Sequence, residues 1–327
     1  MTFDEFVKYQ QDYLPFGNPA IGVNDIYYFD TNEEWCEELI RSANFYVEAI
    51  QHNSYYLNGL SCRLIFTSHI SENARATVFG EKGGIVWHAG LLLRQLDVLN
   101  KHTEIFNSLF CTDAKNLLEL GVLDNHPSIL FYQFCQHFTF YHEFAHIIQQ
   151  QNKGNSTAFK FPYEPLDYSL NNHLLEIDAD IFASLCLSAH ILQYAKKIFG
   201  NDVEREYLLM LIAIFASSIL VYSMKIDEMS IVNDMKSGHH PNPLFRILFA
   251  VLNICEYINQ NTNHDFKFPE ILDLSLNIAS NLTEIDLTSY WSEHYDVMMD
   301  YYREIHEMKV PDEYESAVNN WNIYNRY

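Results

Sequence analysis

The sequence predicts a mostly helical fold of the α+β class. Residues 129–151 form a mostly apolar run with neither Gly nor Pro, and residues 173–185 repeat apolar positions at helical spacing. The segments Cys62–Ser68 and Ala76–Phe79 have the β-branched and aromatic content of short strands, with glycines close behind. With 327 residues, 48% of them apolar, and no internal repeat or long Pro/Gly/Ser linker, the chain has material for one moderately large core.

In chain order, residues 1–60 are expected to form a helical segment packing on a core of residues 61–258. Residues 259–327 are expected to be an acidic helical extension packed on the same domain. The two strand segments, a turn at Glu81-Lys82-Gly83-Gly84 and the following Ile85-Val86-Trp87 predict a small antiparallel sheet. The 129–151 helix is introduced by Asn125-His126-Pro127-Ser128 and stops at Asn152-Lys153-Gly154, where a glycine suits a C-terminal cap. From Gly154 to Asn172 the chain is turn-rich and carries Phe159, Phe161, Tyr163 and Tyr168, as a packed connection or a lid over a cleft would.

Residues 207–224 contain no charged side chain and approach the length of a membrane span. Ala213, Ala216, Ser217, Ser218 and Ser223 suit close contact with neighbouring helices, so a buried central helix is expected, with a single membrane anchor as the alternative. Near the C-terminus, Glu293, Asp296, Asp300, Glu304 and Glu307 alternate with Trp291, Tyr295, Met298, Met299, Tyr301 and Tyr302, the pattern of amphipathic helices with a solvated acidic face.

A formal charge of −23, from 43 acidic against 20 basic residues, argues against a phosphate-seeking surface and so against a nucleic-acid partner. Six dispersed cysteines without a CxxC pair read as buried thiols of a reducing compartment. The N-terminal residues lack the basic and apolar regions of a secretory signal, so a cytoplasmic location is expected.

The most informative residues are His142-Glu143-Phe144-Ala145-His146, an HExxH. On a helix the two imidazoles lie about 40° apart around the axis and can reach one ion, while Glu143 stands about 100° away, beside the ion rather than on it. This is the arrangement of a zinc hydrolase, which needs one further protein ligand and an open position for water. The residues after His146 exclude the metzincin extension, because Gln149 and Asn152 stand where Gly and His would be required. The better candidate ligand is Glu176 on the 173–185 helix, with His173 as its rival. Asp180, one turn beyond Glu176, is placed to accept the outer N–H of a ligating His, and Asp178 points elsewhere, towards solvent or a local bond.

At these residues the chain resembles the gluzincin metallopeptidases, in particular the group of the CAAX prenyl protease and the HtpX protease. The resemblance spans about residues 60–250 and involves three blocks in order. They are Asn73-Ala74 with Gly83-Gly84-Ile85-Val86 and Gly90-Leu91-Leu92; HEFAH followed by Glu176 and Asp180; and His240-Pro241 followed by Arg246-Ile247. Members of that group are commonly embedded in membranes, whereas this chain has no array of spanning segments and is more like a soluble relative. It is similar also to the phage-exclusion Lit-type and regulatory ImmA-type peptidases.

The resemblance implies a zincin-like core with a Glu-bearing second helix and a sheet whose edge strand lies beside the cleft. There an extended protein or peptide substrate would add as a further strand. It implies one Zn2+ on His142, His146 and Glu176, with Glu143 as general base and acid toward a zinc-bound water. His240 becomes the candidate oxyanion donor, with neighbouring His239 as an alternate. Arg246 is either a partner for Asp180 or another acidic group, bracing the helices, or an ordinary surface cation. A latent enzyme awaiting an activating or inhibitory protein partner, and a non-catalytic zinc-containing binding protein, are the competing expectations.

Overall fold

The computed structural model describes residues 1–12, 25–27, 34–71, 73–93, 95, 127–151, 169–223 and 240–324. Among the described residues helices dominate and one three-stranded sheet accompanies them, in agreement with the α+β expectation. Contacts group the chain into two units. One comprises residues 1–94, 139–164 and 310–327, and the other residues 95–138 and 165–309.

In the first unit, α1 (Phe3–Gln11) begins with a capping box in which the Thr2 side chain accepts from Glu5 N and the Glu5 carboxylate accepts from Thr2 N. Its buried face meets the sheet. Phe6 packs edge-on against Phe66 at 5.1 Å, and the Gln10 side-chain oxygen accepts from Phe66 N. Helix α2 (Glu34–His52) follows, then strands β1 (Ser61–Thr67), β2 (Ala74–Phe79) and β3 (Lys82–His88).

The sheet has the order β1-β3-β2, with β3 antiparallel to β2 but parallel to β1. It is therefore mixed, not antiparallel as expected. The tight turn joins only β2 to β3, and β1 enters on the far side of β3. The turn also differs from the expected Glu81–Gly84. Phe79 pairs with Lys82, which leaves Gly80 and Glu81 as the two turn residues, and Gly80 supplies the positive φ (59°).

Gly83 lies inside β3 for a packing reason. A Cβ there would stand 2.7 Å from Leu60 and 3.1 Å from Ile147, so its absence lets the strand approach the helix that carries the HExxH. That helix is α3 (Pro127–Gln150), as expected from the 129–151 run. Tyr46 of α2 joins the same layers, stacking on Phe140 at 4.6 Å and meeting Trp87 edge-on at 5.2 Å. Beyond β3 the chain turns helical at 89, and Gly90 is obligatory there because a Cβ would lie 1.9 Å from the Ile70 carbonyl oxygen.

The second unit is helical among the described residues. It contains the first turns of α3 with α4 (Leu170–Phe199), α5 (Arg205–Ser223), α6 (Pro243–Asn261), α7 (Phe268–Thr283) and α8 (Leu287–His306). Helix α5 corresponds to the uncharged 207–224 segment. It is the one helix among the described residues long and apolar enough to cross a membrane, and 67% of that window is buried inside the protein. Ala213, Ala216, Ser217 and Ser218 have no exposed surface, and both serine hydroxyls donate to carbonyls of their own helix. Small, internally satisfied residues let α6 and α7 pack against it.

Helix α6 starts at an Asn242 cap that accepts from Leu244 N, with Pro243 at its first position. On α8, Trp291, Met298, Tyr301 and Ile305 are buried while Glu293, Asp296, Asp300 and Glu304 are exposed, the acidic amphipathic helix expected. The final helix, α9 (Ala317–Tyr324), belongs to the first unit. Cys62, Cys135, Cys186 and Cys255 are free, buried thiols, and burial pushes Cys62 and Cys135 up to about 12.

Candidate metal centre

Helix α3 places His142 and His146 one turn apart. Both are buried, at 3% and 4% exposure, and their Nε2 atoms lie 3.1 Å apart. Glu143 is buried beside them at 5%. His142, His146 and Glu176 each offer one ligand atom, and these atoms all lie within 4.8 Å of one another, a buried group that could hold a metal ion. The donor chemistry fits a first-row divalent cation, being two imidazole nitrogens and a carboxylate oxygen. Two nitrogens on one tetrahedral ion, each about 2.0–2.1 Å from it, would stand about 3.3 Å apart. The observed imidazole spacing is close to that.

The remaining sequence candidates fall around this group. Asp180 has no exposed surface, and Arg246 grips it with both faces of its fork. Nε donates to Oδ2 and Nη2 to Oδ1, each at 2.6 Å. Of the alternatives for Arg246, the pairing with Asp180 is the one present. Burial pulls the guanidinium pKa down, but the charge and hydrogen bonds of Asp180 more than offset this, and the net shift is upward. His240 is half exposed, with Nδ1 2.9 Å from Glu176 Oε2. It therefore stands against the carboxylate of the metal group.

His173, the rival third ligand, is directed to another partner. Its Nδ1 is hydrogen-bonded to Tyr301 Oη, and the group that comes together with the two α3 histidines contains Glu176 instead. Asp178, expected at solvent or in a local bond, is buried at 6%. Residues 173–180 are all buried, so this part of α4 has no solvent face for it to occupy. His239, the alternate oxyanion donor, and most of the aromatic 154–172 connection lie outside the described residues.

Sequence reasoning missed Gln149. Its side-chain oxygen lies 2.8 Å from His146 Nδ1, and the residue is 1% exposed. The i, i+3 spacing from His146 on a helix was the available signal. Comparison with protein-family models, with curated proteins and with solved structures returned no match to this chain.

Proposed function

We propose that the chain is a zinc-dependent endopeptidase of the gluzincin kind, related to the soluble side of the HtpX and prenyl-protease group. The observation that carries this reading is the buried His142, His146 and Glu176 group with Glu143 next to it in sequence. A structural metal site has no need of a carboxylate poised beside its ligands. When bound, the ion supplies Lewis acidity and lowers the pKa of coordinated water to about 7.

The chain's own groups do the rest. Glu143 takes the proton from the attacking water and returns it to the leaving amine nitrogen. Glu176, braced by His240 and one turn from the Asp180–Arg246 pair, holds its carboxylate toward the two imidazoles. His240, held against Glu176 through Nδ1, is the residue we assign to stabilise a developing oxyanion. Strand β2 lies at an edge of the sheet, and a protein substrate in extended form would add alongside it.

The dispersed buried thiols fit a cytoplasmic enzyme, and the resemblance to phage-exclusion and regulatory peptidases fits one held latent until a stress or defence trigger. The test compares newly generated protein N-termini in cells expressing the wild-type chain or Glu143→Gln at equal abundance. Termini specific to the wild type are expected, with Glu143→Gln retaining zinc and Glu176→Ala binding it weakly. Turnover retained by purified Glu143→Gln would remove the mechanism.

A further inference from the structure

We propose that Gln149 is the positioning residue of the metal group. It fixes the tautomer of His146 so that the nitrogen facing His142 carries a lone pair. This rests on reading His142, His146 and Glu176 as a metal site, and it adds a residue and a proton arrangement to that reading.

The side-chain oxygen of Gln149 can only accept, so a 2.8 Å contact with His146 Nδ1 requires that nitrogen to bear hydrogen. In a neutral imidazole the other nitrogen, Nε2, is then a bare acceptor. His142 Nε2 stands 3.1 Å from it, across the space where a shared ion would sit. Gln149 thereby readies His146 for a metal, with its lone pair already presented toward the site.

Without an acceptor at position 149, a buried Nδ1–H would lose the 2.8 Å hydrogen bond that favours it. The proton would then be better placed on Nε2, where it would close His146 to the metal.

The anchoring of Gln149 supports this role. It sits in the last turn of α3, where helix carbonyls have no partner within the helix. Its own carbonyl accepts from Glu315 N at 3.1 Å, so the segment leading into α9 holds the end of the HExxH helix against fraying. The side chain is thus presented from a pinned backbone and is buried at 1%.

The experiment uses the full chain labelled with 15N-histidine. Long-range 1H–15N spectra of the metal-free protein give each tautomer, and chelator competition gives Zn2+ affinity. Wild type is expected to show His146 as the Nδ1–H form. Gln149→Leu is expected to move His146 toward the Nε2–H form and to bind Zn2+ about 10–100-fold more weakly. Gln149→Glu, which keeps an acceptor oxygen, is expected to retain both the tautomer and the affinity.

Wild-type His146 found as Nε2–H overturns the proposal. So does a folded Gln149→Leu with tautomer and affinity unchanged, or a Gln149→Glu that loses both. Should Gln149→Leu not fold, the wild-type tautomer and Gln149→Glu decide. A wild-type chain that takes up no Zn2+ sinks the metal-site reading itself, and is told apart because the tautomers are read without metal.

Discussion

Replacing Arg246 by Leu should be among the most damaging single changes in the second unit. Asp180 has no exposed surface and Arg246 is 6% exposed, so Leu leaves a buried carboxylate without the charge that compensates it. Two charge-assisted hydrogen bonds of 2.6 Å are lost together. At about 1.5–3 kcal/mol each, they give a loss of about 3–6 kcal/mol. The independent expectation for breaking one side of a buried ion pair is about 3–5 kcal/mol. The two routes agree on a loss near 4 kcal/mol.

Urea unfolding followed by circular dichroism reads this as a fall in midpoint with the slope m unchanged. The double variant Asp180→Leu/Arg246→Leu is the control, since it removes the stranded charge as well. It should recover much of the loss, with a coupling energy of several kcal/mol in the double-mutant cycle. A loss below about 1 kcal/mol for Arg246→Leu would place the pair in the class of solvated surface bridges and refute the reasoning from burial.

Two further outcomes follow from the first unit. Burial, then the nearby charges of Arg75 and His69, holds His88 down to about 4, below its usual value near 6.5. The unfolded chain therefore binds a proton at His88 that the folded chain refuses between those pH values. The contribution of His88 to stability is complete above about 6.5 and is lost as pH falls toward about 4, at no more than about 1.4 kcal/mol per pH unit. Urea midpoints measured from pH 7 to 4 should fall less steeply in His88→Gln than in wild type, and equal slopes would contradict this. Gly90→Ala forces a methyl to within 1.9 Å of the Ile70 carbonyl oxygen, a backbone atom. A loss of at least about 2 kcal/mol is expected by the same denaturation assay, and wild-type stability would show that the close approach is not maintained.

What was legible in the sequence was periodic. The α3 and α4 helices, the i, i+4 pairing of His142 with His146, and the acidic amphipathic α8 all follow from spacing along one chain segment. What was not legible depends on distant partners. The parallel pairing of β1 with β3 is invisible in either strand, because both strands read as apolar runs whichever way their neighbour runs. Gly83 looked like a turn residue, and its true constraint is the approach of Leu60 and Ile147. The angle of Asp178 on the helix suggests solvent or a local bond, and the solvent alternative is excluded because this stretch of the helix is covered on all sides.

Helix α4 carries Glu176, Asp178 and Asp180 within five residues, and all three are buried in a chain whose formal charge is already −23. Burying ionised carboxylates together is unfavourable unless each finds compensating charge and hydrogen bonds. Asp180 has a full and permanent cation in Arg246. Glu176 feels the charge of Arg246 as well, but its contact at 2.9 Å is His240, a half-exposed imidazole that carries charge only when protonated. A divalent ion shared with two neutral imidazoles would supply to Glu176 what Arg246 supplies to Asp180. On the proposed reading, the two acidic residues one turn apart are therefore complementary. Asp180 is neutralised by the protein itself and fixes α4 to α6, and Glu176 on the same helix is held ready for a cation from outside.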